Sequence, residues 1–383
     1  MANRLRSLFL LDPDVVFLNH GSFGACPRPV FEVYQRRQLE LERQPVEFLG
    51  RRITGLMADA RARLAAYLGV PAETVVYFSN STTAINMVAR NLALRPGDEI
   101  LTTDHEYGAM DRAWRFVCAR TGARYIRRPA PVPVTTPAEF VEAFWAGVTE
   151  RTRAIFISHL TSSTALIFPV GEVCRRARAA GLLTVIDGAH APGQVPLNLA
   201  ELGADIYTGA CHKWLCAPKG SAFLYARPEA QAWLEPLVVS WGWESETPSG
   251  VPFVDYHEWQ GTRDMAAFLA TPAAIDFQAE HDWVRVRAEC HALAVETRRR
   301  INALTGLAAL CPDSADWLGQ MVSIRLPPVD MDWLKSALYE RYRVEAPLVR
   351  WNGDLFLRVS FQGYNDQADA DALVAALRDL LFE

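Results

Sequence analysis

The chain has 383 residues, a formal charge of −5 and a pI near 6.0, which excludes a broad basic surface for a nucleic-acid backbone. Half of it is hydrophobic and 22% is charged, the composition of a globular protein, and no window reaches the roughly 18 unbroken apolar residues of a membrane span. The seven cysteines are scattered, odd in number and never spaced C-x-x-C, so they read as reduced thiols in the cytoplasm and not as a disulfide framework or zinc site. The first twelve residues hold only a short apolar run at 8–11, far short of a signal-peptide core. A small molecule is the expected partner.

From about residue 68 to residue 226, short apolar runs alternate with helical patterns, at 74–79, 99–103, 124–127, 154–159, 182–187, 204–208 and 221–225. Such alternation predicts α/β units on a mostly parallel sheet, whose ligands gather outside the carboxyl ends of the strands. The first run leads through Asn80, Ser81, Thr82 and Thr83 into a helical pattern continued by Ile85, Val88 and Leu92. Hydroxyls at a helix N-terminus offer donors and a positive dipole end to a phosphate, although plain N-capping produces the same pattern. The run at 182–187 ends in Asp187, a carboxylate placed either to pair with a protonated pyridine nitrogen or to cap a loop.

Beyond 204–208 comes Cys211-His212-Lys213-Trp214, and the chain has only two other lysines, Lys219 and Lys335. A lysine just past a buried strand loses the solvation of its ammonium, which favours the free amine that attacks a carbonyl; a surface lysine beside a helix is the alternative. Residues 239–262 turn irregular and aromatic, as a functional loop or an interface does. A long helical pattern at 265–304 follows, then strands at 321–325 and 355–360 and helices at 331–341 and 368–381. The expected division is an N-terminal segment (1–20), a large domain (21–264), and a linking helix with a small α+β domain (265–383).

In order and spacing these motifs, with Asn19-His20-Gly21-Ser22, Asp104-His105-Glu106-Tyr107, Asp187-Gly188-Ala189-His190 and Gly261-Thr262-Arg263-Asp264, resemble the class V aminotransferase family of fold-type I enzymes. The wording is most similar to the isopenicillin N epimerase-like branch, and the resemblance covers nearly the whole chain. It implies pyridoxal 5′-phosphate (PLP) as cofactor, Lys213 as its attachment point and as the proton shuttle at Cα, and Asp187 as partner of the pyridine nitrogen. It further implies a phosphate cup of Ser81 and Thr82, with Thr83 a further donor, and a phosphate contact from His212. Thr262 would reach the phosphate from the neighbouring subunit of a homodimer, making the active site composite. His190 and Ser162 would approach the phenolic oxygen of the ring. Tyr107, with His105 as the alternative, would stack on the ring and serve catalysis, unless it is an ordinary core tyrosine.

In Leu357-Arg358-Val359-Ser360 the resemblance makes Arg358 the fork that grips a substrate α-carboxylate, where the plain reading is an arginine bridging to a surface acid. Asn19 and His20 would face the substrate. Two departures limit the likeness. The stretch from Pro312 to Arg358 has no cysteine, against a persulfide mechanism, and Ala210 stands where relatives often carry a hydroxyl, leaving Thr208 or other donors to compensate. Reaction at Cα of an amino acid or its derivative leaves three outcomes open: epimerisation, β-elimination as in a C–S lyase, or transamination. A catalytically silent binding module is the non-enzyme alternative, against which the retention of Lys213 and Asp187 argues.

Overall fold

The computed structural model describes residues 5–382; residues 1–4, the start of the expected N-terminal segment, and residue 383 lie outside the described residues. The main sheet comprises β1 (Val75–Phe78), β2 (Glu99–Thr103), β3 (Arg124–Arg128), β4 (Thr152–Ser158), β5 (Leu183–Asp187), β6 (Ile206–Ala210) and β7 (Ala222–Ala226). Their order is β1-β7-β6-β5-β4-β2-β3, with β7 antiparallel to both neighbours and every other pairing parallel.

The strands form where the chain is apolar on both faces, as a sheet covered on both sides requires. Alternate side chains divide between two cores: Ile155, Ile157, Ile186 and Tyr207 enter one, while Ala154, Phe156, Val185 and Ile206 enter the other. Register then levels the carboxyl ends, with Ser158 opposite Asp187 and Asp187 opposite Thr208. At this edge β1 passes into α1 (Ser81–Asn91), and β2 passes through Asp104–Tyr107 into α2 (Gly108–Thr121).

The expected long helix at 265–304 is divided into Ala266–Leu269, Thr271–Glu280 and α3 (Trp283–Thr305). Pro272 starts the second piece because it needs no N–H there, and Asp282, at φ 49°, turns the chain and caps α3 by accepting from the Arg285 N–H. An antiparallel sheet of β8 (Met321–Leu326), β9 (Leu348–Trp351) and β10 (Asp354–Ser360) follows; α3 packs on β8, and α5 (Gln367–Phe382) packs on both α3 and α4 (Met331–Tyr342). The N-terminal strand Val16–Phe17 pairs with Val344–Glu345, and Asn19 bridges to Ser360, so residues 16–24 run from the small sheet to the carboxyl edge of the large one. Gly24, at φ 71°, is required there: a Cβ would lie 2.0 Å from the His212 carbonyl oxygen and 2.9 Å from Lys213 Cα. No helix among the described residues is long and apolar enough to cross a membrane.

Candidate active site

A cleft of about 650 Å³ opens at the carboxyl edge, lined by Lys213, Asp187, His190, His212, Ser81 and Thr82, with Tyr107, Ser162 and Phe23 at its walls. Lys213 is held in it by a chain of polar contacts. Trp214 Nε1–H donates to His190 Nδ1 at 3.2 Å, and His190 Nε2 stands 3.1 Å from Lys213 Nζ. An indole can only donate, so Nδ1 of neutral His190 is bare and its proton sits on Nε2, which then donates to Nζ. Only an uncharged amine can accept there. Burial, aided by the nearby Arg358 charge and opposed by Asp187, lowers Lys213 to about 8, in the same direction.

Asp187 is buried, and burial pushes its carboxyl up against the opposing pull of the Ala189 N–H at 3.0 Å and of Lys213. A cation placed in the cleft supplies what burial withholds from it. Behind it lies a group that sequence reasoning missed. Glu106 accepts from Ser158 N–H at 3.0 Å, Ser158 Oγ at 2.5 Å and Thr103 Oγ1 at 2.6 Å, yet burial raises it to about 8, so it stays neutral at pH 7 beside Asp187. The acidic wording of 104–106 was visible; its burial was not.

At the other end of the cleft, Ser81 Oγ is buried without a hydrogen-bond partner among the described residues, at the N-terminus of α1. Thr83, expected as a further phosphate donor, is committed elsewhere: its N–H and Oγ1 both donate to Asn80 Oδ1, at 2.8 and 3.0 Å, and close the helix cap. Thr208 does not compensate for Ala210 either, because its hydroxyl donates to the Phe223 carbonyl at 2.8 Å. His212 lines the cleft with Nδ1–H donating to the Ser221 carbonyl at 2.9 Å.

Of the two candidates for stacking, Tyr107 reaches the cleft and is 47% exposed. His105 does not: its ring is sealed between Trp351 and Phe168, at 4.3 and 5.4 Å between centroids, with Nδ1 2.7 Å from Thr164 Oγ1. Asn19 and His20 also miss the cleft. Asn19 Nδ2 donates to Glu345 Oε1 at 3.0 Å, outside it. His20 is fully buried, its Nε2 3.1 Å from the Lys213 carbonyl oxygen and its Nδ1 3.0 Å from Tyr364 Oη, and burial lowers it to about 3. It positions the Lys213 backbone and does not face a ligand. These partners lie far away in sequence, which is why spacing could not reveal them.

Arg358 is 5% exposed and reaches the cleft wall, where Nη1 donates to Ser162 O and Oγ at 2.9 and 3.1 Å and Nη2 to Ser22 Oγ at 2.7 Å. Among the described residues no carboxylate pairs with it and its Nε has no partner, so the bland reading, a bridge to a surface acid, does not hold. Burial lowers it to about 10, the mark of a cation held away from water without its counter-ion. Ser162 thus carries Arg358. Thr262 is exposed and does not line the cleft of its own chain, and none of the seven cysteines does so either.

A sequence profile described as Aminotransferase class-V matches residues 27–373. The chain belongs to the class V aminotransferase family. It is 40% identical to an isopenicillin N epimerase of Amycolatopsis lactamdurans, over 97% of this chain and 96% of that one. It is 28% identical to a probable chloroplastic L-cysteine desulfhydrase of Arabidopsis thaliana, over 97% and 84% of the two chains. The cysteine desulfurase CsdA of Escherichia coli shares the fold, with a TM-score of 0.82 at 24% identity, covering 98% of this chain and 97% of that one. The chain is therefore a fold-type I, PLP-dependent enzyme acting at Cα of an amino acid or its derivative. The residues present fit PLP: an orphaned Ser81 hydroxyl at a helix N-terminus for a phosphate, a buried Asp187 for a pyridinium, and an amine at Lys213 for an aldehyde.

Proposed function

We propose that this class V enzyme is an epimerase or racemase of isopenicillin N epimerase type, inverting Cα of an amino acid derivative. The observation that carries the reading is the presence, in one cleft, of two separate acid–base groups, Lys213 and Tyr107, beside the unpaired guanidinium of Arg358. The 40% likeness to an isopenicillin N epimerase supports it.

In this reading Ser81, Thr82 and His212 would hold the phosphate of PLP, Asp187 would pair with its ring nitrogen, and His190 would stand by the phenolic oxygen. When bound, PLP supplies the electron sink that makes the Cα–H bond acidic. Arg358, steadied by Ser162 and Ser22, would grip the α-carboxylate through its planar fork and so fix how Cα is presented to Lys213. Lys213 Nζ, as the free base that burial favours, would take the proton, and Tyr107 Oη would return one from the other side.

Thr262 serves the cleft of a partner subunit, in a homodimer whose interface includes the exposed aromatic stretch 239–262. The cytoplasm is the proposed compartment, on the strength of seven unpaired cysteines. The likeness to a probable L-cysteine desulfhydrase favours one second reading, β-elimination, which needs only a leaving group at Cβ. Products separate the two. PLP-loaded enzyme in D2O is given L-amino acids and followed by NMR and chiral chromatography. Deuterium at Cα with accumulation of the D-enantiomer is expected; pyruvate with sulfide from cysteine, and no D-product, would replace epimerisation by elimination.

A further inference from the structure

We infer that the substrate is an amino acid with an extended, neutral and mostly apolar remainder, which leaves the catalytic cleft across Phe23 and fills a second pocket beside it; this rests on the reading of the cleft as an amino-acid site. Phe23 lines both cavities and is 72% exposed, an uncovered apolar ring at their junction. The second pocket, about 750 Å³ of open space, lies between the N-terminal segment and the small-sheet region, with apolar walls from Leu11, Val15, Phe17 and Tyr339. Ser22, the residue before Phe23, accepts from Arg358 at 2.7 Å. The α-carboxylate grip and the way out are therefore neighbours on one stretch of chain.

The polar lining specifies the remainder further. Asp12, Asn19 and Glu345 line the pocket, and no cationic side chain lines it among the described residues. Asp12 pairs with Arg343 at 3.6 Å, and Glu345 accepts from Asn19 Nδ2 at 3.0 Å. A second carboxylate on the substrate would meet Glu345 and Asp12, and the cation beside them, Arg343, is already paired with Asp12. Asn19 Oδ1 is buried and accepts from nothing among the described residues, so an N–H on the remainder, such as that of an amide, meets an unsatisfied acceptor. Bare alanine or cysteine would occupy the first cleft alone.

The test uses the PLP-loaded enzyme in D2O with L-glutamine, N5-benzyl-L-glutamine and N5-benzyl-N5-methyl-L-glutamine, following Cα–H exchange by NMR and binding by the change in absorption. The benzyl amide should exceed glutamine in kcat/KM by at least about tenfold, carried by KM and matched in Kd. N-methylation should return about fivefold or more of that gain. Val15→Glu should narrow the benzyl-to-glutamine ratio at least about fivefold. Exchange that is equal for all three substrates in the unaltered enzyme overturns the inference while leaving the amino-acid reading intact, and needs no variant to fold. A benzyl preference that Val15→Glu leaves unchanged, in protein that still exchanges glutamine, also overturns it. Exchange with none of the three, at saturating concentrations, brings down the reading and the inference together.

Discussion

The two walls of the catalytic cleft are built in opposite ways. On the large-sheet side, Trp214, His190 and Lys213 form an unbroken buried chain, and Asp187 and Ser158 are set by strand register. On the side facing the small sheet and the N-terminal segment, Arg358 Nε is buried without a partner among the described residues, and Phe23 lies open to solvent. A satisfied network is rigid and suits a group that never leaves; unmet polar demand marks where a passing ligand completes the structure. On the large-sheet side, Ser81 Oγ lines the cleft without a partner among the described residues, where a phosphate would be held.

That contrast can be broken at several points. The largest effect belongs to Lys213→Ala, which should lower Cα–H exchange at least about a thousandfold while PLP still binds, as read by NMR and equilibrium dialysis. Next, Arg358→Gln should cost about 10²–10³ in kcat/KM, and Arg358→Lys should restore little, since a point charge cannot replace the fork donating to Ser162 and Ser22. pH sharpens the picture of Lys213. With its amine lowered from 10.5 to about 8 by burial, the unreactive charged form prevails below 8 and the free base above it. Capture of PLP by the cofactor-free protein should thus rise about tenfold between pH 7 and 9 and then level off. A rate still climbing beyond pH 10 would contradict the buried free amine.

The smallest effects form a matched pair. Ser81→Ala should weaken PLP binding about tenfold with no loss of thermal stability, because the hydroxyl it removes has no partner among the described residues. Thr208→Val should do the reverse, lowering stability by about 1 kcal/mol through its lost bond to the Phe223 carbonyl and leaving PLP affinity alone. Calorimetry and dialysis on both variants decide it.

Most of the large sheet was legible, because its strands are short apolar runs punctuated by turn residues: 99–103 was read with the bounds it has, and 124–127 and 182–187 within one residue. Lys213, Asp187, Ser81, Thr82, His190 and Tyr107 were legible as cleft residues for a related reason, since strand ends and helix starts fix where they stand. The departures share one cause. His20, His105 and Thr83 stand away from the cleft or are committed elsewhere because a distant or capping partner (Tyr364, Trp351, Asn80) holds each side chain, and Asn19, held by Glu345, lines the neighbouring pocket instead. Spacing along the chain carries no record of that competition. The break at Asp282 was missed because a left-handed residue other than glycine leaves little trace in a hydrophobic pattern.

The most direct test of the account is chemical. Protein incubated with PLP is reduced with borohydride, digested, and its peptides mapped by mass spectrometry. The expected result is one cofactor adduct, on Lys213, with none on Lys219 or Lys335 and none in Lys213→Ala. An adduct spread over other lysines, or none at all, would contradict it.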